Sequence, residues 1–499
     1  MTRHPLLVRL ALCLALLVGS ACRVGPPYQR PTAPAPPALK EMAGNDDWKM
    51  ATPSDDLPKG RWWEIFGDPQ LNALEELVTI DNQNLKQADA QFRQARAFVA
   101  AARANGRPTI GVTPAITQSD VGSNSGRGAG GTSQTFAVPA QVSWEPDLWG
   151  RVRLSVENAV SNAQVSAADL ENLRLSQQAL LATDYFSIAA NDMQQAVLQD
   201  TIAAYEKNLQ LTTDRFNGGV ASRTDVTLAQ SQLAGARAQS TELHVTRAQL
   251  EHAVATLTGR PAAELQIGAG AISGPPPPIP VAVPSLLLER RPDVAASERL
   301  VAAANANVGL AEAAYYPTLT LSANPGLLAT SLASLFSYAS RSWSSSAALA
   351  QTVGDFGRRR AQVQATQAAY DATIAAYRQT VLLAFQEVED DLSNLRYLAE
   401  EAVQQQQAVA AAQQALNLET DRYKAGTDSY LNVITTQTIY LSDQQTAIAI
   451  LQRRVNAAVD LVKALGGGWD TSALPSAETL RSGTQPAAPC DHPPCTMNR

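Results

Sequence analysis

Two stretches, residues 151–216 and 358–423, run without a single proline or glycine. As α-helix, each extends about 99 Å at about 1.5 Å per residue. No compact domain holds a rod of that length, so the chain is constrained to an elongated assembly of helices packed side by side. Leu198, Ile202, Tyr205, Leu209, Thr212 and Phe216 step alternately by four and three residues, which is the seam such packing needs.

Both rods end in nearly the same words, "LTTDRFNGGVASRTDV" (211–226) and "LETDRYKAGTDSYLNV" (418–433). Gly150 and Arg151 correspond to Gly357 and Arg358 at the same offset that relates Thr213, Asp214, Arg215 and Gly219 to Thr420, Asp421, Arg422 and Gly426. Val226 with Val433, Gln230 with Gln437, Arg247 with Arg454 and Gly259 with Gly466 keep that offset. Upstream, Ala95, Val99, Ala102 and Pro108 match Ala304, Val308, Ala311 and Pro317 at an offset two residues longer. The difference falls between Pro108 and Gly150, where a loop absorbs it. A gapless match along the rods means that their length is constrained.

The repeated unit is helix, β-hairpin, long helix, glycine turn, helix. In the first copy, Asp68-Pro69 opens a helix that runs to about Asn105-Gly106. "RPTIGVTPAITQSD" and "TFAVPAQVSWEPDLWG" read as strands around a glycine-serine loop. Asn217-Gly218-Gly219 ends the rod, and a helix from about Thr224 to Thr258 follows. In the second copy, Pro292 opens a helix that ends near Tyr316, "YPTLTLSANP" and "SWSSSAALAQTVGDFG" are strands, Gly426 breaks the rod, and a last helix stops at "LGGGW". The chain thus divides into an export segment (1–21), a proline-rich segment (22–61), a first repeat (62–274), a proline-rich linker (275–284), a second repeat (285–470) and a tail expected to be disordered (471–499).

The export segment has Arg3 and His4 ahead of the apolar "LLVRLALCLALLV", and "GSAC" as its cleavage site. After it no apolar run approaches the roughly 20 residues of a spanning helix. A membrane crossing by the mature chain therefore requires strands in a closed barrel. Cys22 stands at the cut. Gly19 occupies the lipobox position where a large aliphatic is usual, so cleavage by an ordinary signal peptidase also fits; the isolated cysteine favours acylation, and two acyl chains would anchor stably. Arg23 follows, without the aspartate linked to inner-membrane retention. The "GPPYQRPTAPAPPAL" segment reads as an extended spacer between anchor and body.

Four strands leave two open edges, which lipid does not tolerate, and single-chain barrels need about eight. The barrel must be shared, and three chains supply about twelve strands. The formal net charge of −7 argues against nucleic acid as a partner.

These features together resemble an outer-membrane efflux channel of the TolC family, in the OprM/NodT-like lipoprotein branch that serves tripartite drug-efflux pumps. The residues that carry the resemblance are "CRVGPPYQRP" at 22–31, "WWEIFGDPQLNAL" at 62–74, "PDLWGRVR" at 146–153, "LLLERRPDVAASERLVAAANANVGLAEAAYYPTLTL" at 286–321 and both "TDR(F/Y)xxG" turns. It covers the mature chain up to about residue 475. It implies a mostly α fold, in which two tandem repeats form a trimeric twelve-stranded outer-membrane β-barrel continued by a long periplasmic α-helical barrel. It implies a homotrimer in outer-membrane lipid, a periplasmic adaptor protein and an inner-membrane RND-type transporter as partners, and no cofactor.

By the same resemblance, the glycine turns are the periplasmic tips. Gly219, Val220, Ala221, Gly426, Thr427 and Asp428 fall at the positions that meet adaptor hairpins. Asp225 and Tyr423 fall at gate positions. Asp428 stands where relatives use an arginine, and Asn432 and Thr435 stand where acids are common, so Arg422 or Arg223 is the candidate substitute in the gate. As a plain reading, the glycines reverse the chain and Asp225 caps a helix start.

Enzyme chemistry finds no residues to stand on. "GRGAGG" (126–131) is not followed by a helix, so it is not a phosphate loop. His244 and His252 lack ligand partners, and Cys490, His492 and Cys495 lie in a proline-rich tail. The competing readings are a non-conducting, lipid-anchored coiled-coil scaffold, and an exit duct for protein secretion or metal efflux. A scaffold has no use for two hairpins of bilayer-crossing length.

Overall fold

The computed structural model describes residues 23–34, 36, 38–42, 60–121, 131–279 and 290–482. The export segment, Cys22, the end of the second proline-rich linker, most of the 122–131 loop and the cysteine-bearing tail lie outside them. Eight α-helices are described: α1 (Pro69–Asp81), α2 (Gln83–Ala104), α3 (Arg151–Asn217), α4 (Arg223–Leu257), α5 (Pro292–Ala313), α6 (Arg358–Lys424), α7 (Tyr430–Ala464) and α8 (Ala477–Ser482). The rods α3 and α6 have 67 residues each.

Each rod is matched by two shorter helices laid end to end. The helix expected from Asp68 onward is broken at Asn82. Asp68 caps α1 through bonds from the Gln70 and Leu71 amides. Asn82 caps α2, its Oδ1 accepting from the amides of Asn84 (2.9 Å) and Leu85 (3.1 Å). Its Nδ2 donates to the Leu257 carbonyl at 2.8 Å, the last residue of α4. The second repeat makes the same joint with different chemistry. Arg291, ahead of α5, donates from Nη1 to the Ala464 carbonyl at the end of α7 (3.0 Å) and is neutralised by Asp293 and Glu387. Gly259 and Gly466 turn the chain there at positive φ, and a Cβ on either would run into the carbonyl of Asp81 or Arg290.

The strands are β1 (Thr109–Val112), β2 (Ala115–Val121), β3 (Gly131–Trp144), β4 (Thr318–Ala323), β5 (Gly326–Ala329), β6 (Arg341–Ser342) and β7 (Ser345–Ala350). All pair antiparallel in one sheet. β3 is central, with β1 and β2 on one side and β4 and β5 on the other; β7 and β6 lie beyond them. The expected strand 107–120 is split at Thr113-Pro114, and a further strand, β5, follows β4 after Asn324-Pro325, because proline cannot continue the ladder; the strand expected over 342–357 is interrupted at 343–344 and ends at Ala350. The sheet remains four strands wide. Thr109 faces Ser143 in the first hairpin and Thr318 faces Ala350 in the second, so register follows the two offsets of the sequence repeat.

The main core lies midway along the rods, around the joints. Trp62, Trp63, Leu71 and Val78 pack there with Leu181, Ile188, Val254, Tyr377, Val388, Leu392, Val459 and Leu461. The proline-rich segment is not a free spacer. It is extended, as expected, but pinned: the Val24 amide bonds to the Trp149 carbonyl (3.2 Å), Tyr28 donates to Glu298, Arg378 holds the Thr32 carbonyl (3.2 Å), and Leu39 is buried in the core. The tail from residue 471 is also ordered at its start. α8 packs Leu480 against Val99, Val160 and Ala163, and Gln164 donates to the Pro475 carbonyl. Buried apolar area outweighs the disorder-prone composition there.

Glu75 is fully buried on α1, and neither carboxylate oxygen has a partner among the described residues. Burial pushes its pKa well above the usual carboxylate range. A raised acid binds its proton more tightly in the folded state. Its contribution is therefore intact below about pH 4 and lost as pH rises toward the folded pKa. Glu75→Gln is expected to be about 1–3 kcal/mol more stable than the parent at pH 8 and equal to it near pH 4. Thermal melts in detergent at the two pH values check this.

Candidate functional site

Both glycine turns lie at the far end of the rods from the sheet. In the first, Gly219 at φ 74° carries the reversal, with the Val220 amide bonded back to the Arg215 carbonyl at 2.9 Å. Val220 is exposed and Ala221 half-buried. In the second, Gly426 has φ 77° and the Thr427 amide bonds to the Arg422 carbonyl at 3.0 Å. Gly426 and Thr427 are exposed, and Asp428 is half-buried. The six residues with expected docking positions thus lie on the two turns, as their spacing requires.

Of the residues expected at the gate, Asp225 and Tyr423 both act on Tyr430, whereas Arg422 turns away from them. Asp225 closes a capping box: its amide bonds to Ser222 Oγ (3.1 Å) and its Oδ2 accepts from the Ser222 amide (3.0 Å). Tyr423 is buried, packed on Tyr430 with ring centroids 5.3 Å apart, and its hydroxyl lies 3.5 Å from Thr212 Oγ1. Burial pushes the Tyr430 phenol up to about 12. Arg422 stays on its own tip, 3.0 Å from Glu419 and 3.6 Å from Asp428. The Asp428 carboxylate is held below its usual range, first by the Ser429 amide. Arg223 lies over the ring of Phe216 at 5.8 Å.

Arg215, which in the sequence marks only the repeat, also joins the tips. Its Nη1 donates to the carbonyls of Tyr423 (2.9 Å) and Lys424 (3.3 Å), and its guanidinium lies 4.7 Å over the Tyr423 ring. Its correspondence with Arg422 marked it as a place where the repeats could be compared, but its target lies in the other repeat and only the fold brings it near.

At the opposite end the sheet has, among the described residues, two unpaired edges, β1 with β2 and β7 with β6. Ile110, Val112, Ile116, Leu328 and Leu349 are exposed on it, the apolar surface a membrane strand presents. No helix among the described residues is long and apolar enough to cross a membrane. Where sheet meets rod, Trp149 stacks on Tyr316 at 4.9 Å and donates to the Pro317 carbonyl. Phe356, its equivalent in the second repeat, is fully exposed. No metal-binding group of His, Cys, Asp and Glu occurs among the described residues. His244 lies beside Gln195.

With this geometry established, the chain matches the outer membrane efflux protein family over residues 76–260 and 283–467, the bodies of the two repeats. It is 31% identical over 439 residues to the pyoverdine export outer membrane protein OpmQ of Pseudomonas aeruginosa, covering 86% of this chain and 92% of that one. It is 30% identical over 467 residues to the toluene efflux pump outer membrane protein TtgC of Pseudomonas putida, covering 92% and 95%. The outer-membrane channel OprN superposes with a TM-score of 0.84 at 28% identity, over 90% of this chain and 100% of that one. Rods, shared sheet and doubled turns are thus a transport conduit rather than an enzyme, and the chain belongs to the outer membrane efflux protein family as the outer-membrane channel of an efflux system.

Proposed function

We propose that three copies close into one duct that receives small molecules from an inner-membrane RND-type transporter through a periplasmic adaptor. The carrying observation is that second-repeat surfaces lack the neighbours that their first-repeat equivalents have inside one chain. Leu382 is 48% exposed, whereas its equivalent Leu175 is 8% exposed. Tyr397 is 53% exposed, whereas Ala190 is 1% exposed. Phe356 lacks the ring that covers Trp149; carried across by the repeat, its partner is Arg107-Pro108 of the next copy. The open edge of β7 likewise meets β1 of the next copy, and twelve strands remove every edge.

The duct is anchored, on this reading, by acyl chains on Cys22. Arg23, the next residue, pairs with Glu157 near the base of the sheet, where a membrane leaflet would lie. The adaptor docks on Gly219, Val220, Ala221, Gly426, Thr427 and Asp428, and Asp225, Tyr423 and Arg422 contribute to the gate. Exposed polar links are worth about 0–1 kcal/mol each, so docking on six tips suffices to open it. Relatives named for toluene and pyoverdine favour small-molecule cargo over secreted protein.

Native mass spectrometry of the mature protein in detergent is expected to give a trimer with acyl mass on its N-terminal cysteine. A stable monomer overturns the shared barrel, and a trimer of unmodified mass overturns the anchor alone. The pairing of Ser143 with Ser322, carried by the repeat, sets Ala350 opposite Thr113 of the next copy. Ala350→Cys with Thr113→Cys is therefore expected to cross-link copies on oxidation, which the single variants do not. Asp225→Ala is expected to raise single-channel conductance and vancomycin sensitivity; unchanged values leave Asp225 with its capping role only.

A further inference from the structure

Where the rods meet the sheet, a cavity of about 440 Å³ opens between α2, α3 and α8, and four arginines line it. Arg103 comes from the last turn of α2, shortly before β1 begins at Thr109. Arg153 comes from the first turn of α3, Arg481 from α8 and Arg23 from the proline-rich segment. Two of the four are paired, Arg23 with Glu157 at 2.9 Å and Arg153 with Asp147 at 3.1 Å. The side chains of Arg103 and Arg481 have no hydrogen-bond or ion-pair partner among the described residues. Arg103 is also half-buried, so its guanidinium has given up water without gaining a counter-charge. Four cations less two carboxylates leave an excess of two positive charges around the cavity. Val152 and Val156 supply an apolar wall. The amides of Val152 and Arg153 at the start of α3 are already taken by Asp147, so the free donors here are the guanidinium groups.

The second repeat does not reproduce this charge. Glu312 stands where the repeat would place Arg103, and the groove between α5 and α6 carries a cavity lined by Ala304, Leu310, Gln362 and Thr366 without a charged side chain. Arg23 and Arg481 lie outside both repeats. The proline-rich segment that starts at Arg23 straps across α3, α5 and α6, through Glu157, Gly309 and Arg378. On the inner face of a duct such a strap would obstruct it, so the cavity beside Arg23 opens outward, next to the ends of the strands. Trp149, whose carbonyl accepts from the Val24 amide, stacks on Tyr316 at the same junction, and such rings mark the boundary between membrane and water. Resting on the duct reading above, we propose that this cavity binds the phosphate of an anionic phospholipid headgroup, in the leaflet at the rod side of the sheet. Arg103 and Arg481 donate to the phosphate oxygens, since neither has another acceptor. Arg23 and Arg153 add to the field, and Val152 and Val156 take the apolar part that follows the phosphate. A zwitterionic headgroup brings an ammonium into the same positive field and is held less well.

The test is native mass spectrometry of the full-length protein in detergent, titrated with phosphatidylglycerol, phosphatidylethanolamine or inorganic phosphate. The parent trimer is expected to retain phosphatidylglycerol in preference to phosphatidylethanolamine. Arg103→Gln with Arg481→Gln is expected to weaken that retention about thirtyfold, at roughly fivefold per arginine. Lys207→Ala with Arg260→Ala removes the same charge away from the sheet and is expected to leave it unchanged. Arg103→Lys with Arg481→Lys keeps the charge but loses the planar fork, and is expected to fall between the parent and the glutamine variant. A parent trimer that retains no phosphatidylglycerol, or retains both lipids equally, overturns the site, as does a glutamine variant with parental retention. Inorganic phosphate bound by the parent and lost from the glutamine variant, with no lipid retained, overturns the lipid as the source of the phosphate. A parent that runs as a monomer in the same spectra overturns the duct reading instead.

Discussion

The joint between the short helices is what the rest of the structure hangs on. Helices of 22 and 35 residues cannot individually line a rod of 67. Laid end to end, they can. The carbonyl end of α4 meets the amide end of α2, so their dipoles run head to tail. Asn82 serves both sides of the gap, accepting from α2 and donating to α4. In the second repeat a buried arginine does the donating, which requires the two carboxylates of Asp293 and Glu387 beside it. Around these joints lie Trp62, Trp63 and most of the large buried side chains. Away from them the rods hold together through thin seams of small residues and heptad contacts such as Leu198, Tyr205 and Leu233.

Because the unit is made twice, each surface of the first repeat states what its equivalent in the second requires. α3 is covered by α2, α4, α5 and α7, whereas α6 buries a narrower stripe through Tyr377, Val381, Ala384, Val388 and Leu392. β3 is paired on both sides, while β7 keeps an open edge. A chain that satisfies one copy of its own repeat and leaves the other unsatisfied is built to be continued by another chain. The tips depart from that rule through charge. Arg215 reaches the Tyr423 and Lys424 carbonyls, while its equivalent Arg422 pairs with Glu419 and Asp428 on its own tip.

Much of the fold was legible because it is periodic. Unbroken runs gave the rods to within a residue or so, and the register of the two hairpins follows the same two offsets. The break at Asn82 was visible as an asparagine three residues before the apolar Leu85, but the surrounding periodicity masked it. The proline-rich segment and the first residues of the tail looked mobile by composition. Their order comes from Leu39 and Leu480 finding hydrophobic seats on helices distant in sequence. The turns were legible as turns. Arg215 was not legible as their link, since identical motifs gave no sign that one arginine crosses and the other stays.

The sequence by itself determined the lengths, the order of elements, the twofold repeat and the need for a shared barrel, because local periodicity and the intolerance of lipid for open edges leave few alternatives. Only the tertiary structure decided which equivalent residues diverge in role. Asp225 caps through Ser222 on its own turn, whereas Tyr423 became a buried ring and Arg215 a bridge through neighbours contributed by the other repeat. Such choices depend on which charges and carbonyls lie within hydrogen-bonding distance across the tips, and that proximity is not written at any single position of the chain.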